Sequence, residues 1–151
     1  MRVPRAFLFA VIVLFAAGMG SESTLRAETT CSTETLNGAY SYLLRGSFIG
    51  DAFGDVFDFS AAGRLIADGS GSFSGTETTS EAQQITRGQK YTGTYTVNDD
   101  CTGTATFRDS AGKVFANYDL VITNNSKDVE MIEADQGTNI SGTARQQFSA
   151  Q

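Results

Sequence analysis

Histidine is absent from this 151-residue chain, and its absence excludes more chemistry than any residue present supplies. Without an imidazole there is no Ser-His-Asp or Cys-His catalysis and no histidine-bound metal. Cysteine is scarce, with only Cys31 and Cys101, and two thiolates without histidine cannot complete a four-ligand zinc site of the usual kind. Proline is nearly missing, since Pro4 is the only one. Basic residues are outnumbered, 11 against 17 acidic, for a formal charge of −6. A surface this acidic repels phosphate backbones and anionic lipid headgroups, which argues against a nucleic-acid partner or a charged membrane surface. A phosphate-cradling glycine loop is missing too, because the glycines fall within strands and turns rather than between a strand and a helix.

No apolar run is long enough to cross a bilayer comfortably. The longest, Ala6 to Ala17, has 12 residues, against roughly 20 for a spanning helix. Arg2 and Arg5 precede it and small or polar residues follow, the pattern of a secretory signal peptide rather than an anchor. The division expected is 1–27 signal peptide and 28–151 a single domain, with cleavage after Ala27 or, alternatively, after Gly20. Residues 1–27 hold three arginines and one glutamate, so the remainder carries eight basic and sixteen acidic groups, a formal −8. Once the signal is removed, no stable membrane insertion is expected. Export, to a periplasm or beyond the cell, would place Cys31 and Cys101 in an oxidising space, and an even count there favours a disulfide between them.

What the chain has in quantity is alternation. Beyond residue 27 apolar residues do not recur at three and four; they alternate with polar ones, and Thr, Tyr, Phe and Val dominate, the signature of strands. Eight strands are expected near Gly38–Gly46, Val56–Ala67, Gly71–Ser80, Lys90–Val97, Thr102–Asp109, Lys113–Thr123, Asp128–Ala134 and Thr138–Phe148. Gly, Asn, Asp and Ser clusters supply the turns, among them Asp68–Gly71, Arg87-Gly88, Asn98–Asp100 and Asp135–Gly137. Every connection is short, so sequential neighbours should pair antiparallel.

Ser/Thr-Gly-Thr occurs four times, centred on Gly75, Gly93, Gly103 and Gly142, each time on an expected strand. The threonines suit a solvated pleated face, and a glycine on the opposite face lets a strand coil sharply or another group approach. The spacing of the four is irregular, so they are not a repeat of fixed period. The fold class that follows is all-β, an eight-stranded antiparallel up-and-down barrel, with a two-sheet sandwich as the alternative. A closed eight-stranded barrel has an interior just large enough for side chains or for one small ligand.

Candidate function therefore sits on the inward faces. Tyr40, Tyr42, Phe57, Phe59, Phe73, Tyr91, Tyr95, Phe107 and Tyr118 are placed there, either simply filling the barrel or lining a pocket for a small apolar ligand. Gly75, Gly93, Gly103, Ala105 and Gly142 would leave room among the rings. Glu77 is out of place, because it falls in phase with Phe73 and Gly75. Buried, it would have a raised pKa and would be the one weak candidate for a catalytic acid or base; the favoured expectation is that the strand ends or bulges near Thr76 and leaves it exposed. Arg45 and Arg64 are its candidate partners should they point inward. Asp68–Ser72 lacks the further acidic ligands of an EF-hand and reads as a hairpin turn. Asp51, Asp55 and Asp58 read as a solvated acidic loop. No metal and no cofactor are expected.

The segments ADGSGSFSGTET, YTGTYTVNDDCTGTATF and ADQGTNISGTARQ resemble a group of small exported bacterial β proteins of unknown function. At fold level the pattern is similar to the lipocalin-like calycins, which carry small apolar ligands, and to the allene oxide cyclase-like barrels, where an apolar cavity steers a cyclisation. The chain departs from the first in having no tryptophan for a Gly-x-Trp start, which Gly38-Ala39-Tyr40 only echoes, and the same lack counts against an avidin-type site. The resemblance implies either a non-catalytic binding barrel, serving as a carrier or as an envelope or surface module, or a cofactor-independent isomerase or cyclase. A purely structural or interaction domain with a filled interior is the remaining alternative.

Overall fold

The protein was analysed as a computed structural model, which describes residues 30–50 and 54–147. The signal segment expected over residues 1–27 lies outside the described residues, as do Asp51 and the strand end expected at Phe148. Alternating sequence becomes eight strands: β1 (Asn37–Ile49), β2 (Val56–Asp68), β3 (Ser72–Glu81), β4 (Gln84–Val97), β5 (Thr102–Arg108), β6 (Val114–Thr123), β7 (Asp128–Glu133) and β8 (Thr138–Gln146). Each pairs antiparallel with the next and β8 returns to β1, closing an up-and-down barrel. The sandwich alternative is thereby replaced: closure pairs every strand on both sides over at least part of its length.

The period of two decides which side chains enter. In β6, Ala116, Tyr118, Leu120 and Ile122 are buried while Asp119, Val121 and Thr123 face water. In β4 and β5 the threonine faces lie outside, and Thr96 and Thr104 hydrogen-bond across the pair at 2.9 Å. The four Ser/Thr-Gly-Thr glycines share one cause. A Cβ at Gly75, Gly93, Gly103 or Gly142 would collide with a carbonyl oxygen of the adjacent strand, from Arg64, Thr106, Thr96 and Leu43 respectively. The strands coil so tightly at these points that only hydrogen fits.

One boundary differs from expectation. Arg87-Gly88 is not a turn. Gly88 has φ +67° inside β4, the β3–β4 register shifts between Glu77 and Thr79, and the reversal is made by Ala82 and Gln83, at φ 46° and 70°. A positive-φ glycine serves a bulge as readily as a turn, whereas Ala-Gln carries no signal for a turn that usually takes Asn-Gly. The β3–β4 hairpin is therefore longer than expected, and β4 meets β5 only from Thr92 onward.

The two ends of the barrel are built differently. At the end holding the β2–β3, β4–β5 and β6–β7 turns, the N-terminal segment folds underneath. A short 3₁₀ turn (Thr33–Thr35) delivers Leu36 into the core, and the Tyr95 hydroxyl donates to the carbonyls of Leu36 (2.7 Å) and Thr33 (3.2 Å). The disulfide Cys31–Cys101 fastens this segment to the β4–β5 turn, as expected from the two cysteines. Asp68 closes the β2–β3 turn by accepting from the amides of Ser70 and Ser72, which holds its carboxyl below the ordinary range. The opposite end is a cup.

Candidate functional site

Inside the closed half, rings fill the space. Phe73 packs on Phe107 with centroids 4.7 Å apart, alongside Tyr91 and Tyr95, and the residual void among Leu36, Tyr40, Phe73 and Tyr95 is only about 40 Å³. Above this layer lies a cavity of about 640 Å³, within the range typical of small-molecule sites. Its apolar walls come from Leu44 and Phe48 of β1, Phe59 of β2, Phe115 of β6 and Ile140 of β8, and Tyr91, Phe107 and Tyr118 also line it. Packing of Phe107 against Tyr91 (5.3 Å), Phe115 (6.0 Å) and Tyr118 (5.2 Å) ties these rings together.

Strand register explains how a carboxylate comes to sit among them. Tyr42 of β1 pairs with Gly63 of β2, and Gly63 pairs with Glu77 of β3. Because Gly63 has no side chain, the Tyr42 ring lies across β2, and its hydroxyl donates to Glu77 Oε2 at 2.7 Å. Gly75 likewise seats the hydroxyl end of Tyr91, which donates to the Arg64 carbonyl at 3.4 Å. Burial pushes the Glu77 carboxyl above the usual range; the Tyr42 hydrogen bond opposes the shift and the Glu81 charge adds to it. Burial also raises Tyr42, Tyr91 and Tyr118 far out of the titratable range, so these hydroxyls stay protonated.

The expectation that Glu77 is exposed is corrected. β3 runs to Glu81, and its irregularity falls after Glu77 rather than before it, so the side chain keeps the inward phase of Phe73 and Gly75 and is 9 % exposed. Arg45 and Arg64 are not its partners; both lie on the outer face and are exposed. A second glutamate, missed in the sequence, occupies the same cup. Glu133 follows Val129 and Met131 in the inward phase of β7, accepts from the Tyr118 hydroxyl at 3.2 Å, and is raised first by burial and then by the Asp135 and Glu81 charges. The signal was the same as for Glu77, a carboxylate in apolar phase at a strand end.

Of the nine ring residues expected to line a pocket, Phe59, Tyr91, Phe107 and Tyr118 do so. Tyr40, Phe73 and Tyr95 instead pack the closed half. Tyr42 is buried and reaches the cup through Glu77, while Phe57 packs on Phe48 with centroids 5.7 Å apart. The room expected from Gly75, Gly93 and Gly142 is corrected as well. Gly75 and Gly93 lie under the Tyr91 and Phe73 rings, Gly142 under the β1 backbone, and the hollow opens elsewhere. Lys90 is the one basic side chain at the cavity, against Glu77, Glu81, Asp109 and Glu133. No three acidic or thiol groups converge as metal ligands among the described residues. Asp55 and Asp58 are exposed.

Comparison with known proteins adds little. No protein family matches the chain, and no curated protein is similar to it. Among solved structures, a de novo designed fluorescence-activating beta barrel is similar, at 14 % identity and a TM-score of 0.49, covering 76 % of this chain and 96 % of the design. At that similarity the likeness carries no argument, and the barrel assignment rests on the strand pairing itself.

Proposed function

We propose that this chain is an exported, non-catalytic barrel that takes a small, largely apolar molecule into its cup. The observation that carries the reading is the cavity of about 640 Å³ at one end of a barrel whose other end is packed solid. A purely structural barrel gains stability by filling its interior, since each unfilled methyl-sized space costs about 1 kcal/mol. A hollow walled by Leu44, Phe48, Phe59 and Ile140 is therefore better explained by an occupant than by packing. Export is supported by the basic and apolar start of the chain and by the Cys31–Cys101 disulfide.

The test is native mass spectrometry of protein purified from its own source, followed by extraction of what it carries. The expected result is a discrete added mass lost on denaturation. An apo mass, together with no binding of a neutral naphthalene probe, overturns the reading.

A second reading is favoured by Glu77 alone. A carboxyl with a raised pKa beside a cavity, held by a tyrosine hydroxyl, is suited to moving a proton in an isomerisation or cyclisation. It requires that the extracted ligand be converted to an isomer of equal mass by the native protein and not by the Glu77→Gln variant. Equal conversion by both removes it.

A further inference from the structure

The cup has a charge pattern as well as a shape. In an eight-stranded ring β3 and β7 lie four strands apart, on opposite walls. Glu77 stands on the first and Glu133 on the second, and both line the same cavity. Glu77 is nine-tenths buried, and its Oε2 takes the Tyr42 hydroxyl. No further hydrogen bond reaches that carboxyl from the described residues. Neither glutamate has a cationic partner; the one ion pair among the described residues, Arg145 with Asp128, is elsewhere.

From this opposition of carboxylates across a ring-walled cavity, we infer that the ligand is an organic cation: a molecule with an apolar body and a protonated amine. The inference rests on the reading of the cup as a ligand site and names the class of molecule it takes. A neutral apolar occupant would strip water from two carboxylates and return nothing, which forces both to take up protons. An ammonium group in the cavity lies in the field of both carboxylates and offsets their charge. The aromatic cluster around Phe107 offers ring faces that attract a cation rather than repel it. A carboxylate ligand is disfavoured by the same field, because four acidic side chains line the cavity against Lys90. A bare metal ion is not the better occupant, since no three acidic or thiol ligands converge among the described residues.

The test compares three probes of nearly one shape by isothermal titration calorimetry of the purified mature protein at pH 7.5: 1-naphthylmethylamine, 1-naphthylmethanol and 1-naphthoic acid. The amine is expected to bind at least tenfold more tightly than the alcohol, and the acid most weakly. In Glu77→Gln and in Glu133→Gln the preference for amine over alcohol should fall severalfold, while the alcohol's own affinity stays within about twofold. That unchanged affinity shows that the cup is still folded. If the alcohol matches or exceeds the amine, the cation inference falls and the apolar-ligand reading stands. If none of the three binds, the cation inference falls, and with an apo native mass the apolar-ligand reading falls as well. If the amine's advantage survives in Glu77→Gln, Glu133→Gln and the double variant, its source is not these two carboxylates and the inference is overturned.

Discussion

At the scale of single residues, the interior is organised by side chains that are missing. Gly63 leaves the gap across which Tyr42 reaches Glu77, and Gly75 seats Tyr91. The burial of Glu77 beside the Tyr42 hydroxyl has a thermodynamic consequence. The Glu77 carboxyl is raised above its unfolded value first by burial and then by the Glu81 charge, against the Tyr42 hydrogen bond, and Lys90 is the one basic side chain lining the same cavity. A raised carboxyl binds its proton more tightly in the folded state, so the stability it contributes is complete below the ordinary glutamate pKa. That stability is lost as pH rises through the raised value. Glu133 acts in the same direction. Glu77→Gln keeps an acceptor for Tyr42 and removes the charge. The variant should melt a few degrees above the wild type at pH 8 and together with it at pH 4. Thermal unfolding followed by circular dichroism at the two pH values checks this, and a variant less stable at pH 8 would refute the assignment.

At the scale of elements, three strands are keyed together by one row of side chains, Tyr42 on β1, Gly63 on β2 and Glu77 on β3. The key works only if the middle position is empty. In Gly63→Val the new side chain would occupy the space of the Tyr42 ring, displacing it and leaving Glu77 without its donor. Overpacking of this kind costs about 1–3 kcal/mol, and a buried carboxyl stripped of its hydrogen bond adds roughly another 1–3 kcal/mol. Urea denaturation should show a loss of a few kcal/mol with an unchanged m-value, together with a weakened near-ultraviolet tyrosine signal. Strand faces were legible in the sequence because a period of two is local. The β3–β4 reversal was not, since Gly88 looks like a turn and bulges, while Ala82-Gln83 turns without looking like one. Local propensity is the same in both settings, and pairing with the neighbouring strand decides between them.

At the scale of the whole molecule, the barrel is a packed base carrying a hollow rim. Leu36 and the Cys31–Cys101 bridge close the base, and the bridge spans a separation of 70 residues. Closing a loop of that length in the unfolded chain is worth about 4 kcal/mol in the chain-entropy model. Replacing both cysteines by serine should lower the free energy of unfolding by roughly that amount. Because the bridge sits at the opposite end from the cavity, the affinity for a cup ligand should change little under conditions where the variant remains folded. Guanidinium titration and calorimetry measure the two effects separately. An equal loss of ligand affinity would mean that base and rim are not independent.

The sequence by itself determined the alternation of faces, the eight strands with their short antiparallel links, the pairing of its two cysteines and the exclusion of histidine chemistry. Each of these depends on residue type, count or a local period. Which end of the barrel is hollow, which of the nine inward rings line it, and that Glu77 faces Glu133 across it were decided only in three dimensions. Those facts follow from the stagger of strands around a closed ring, and a stagger is a property of all eight pairings at once.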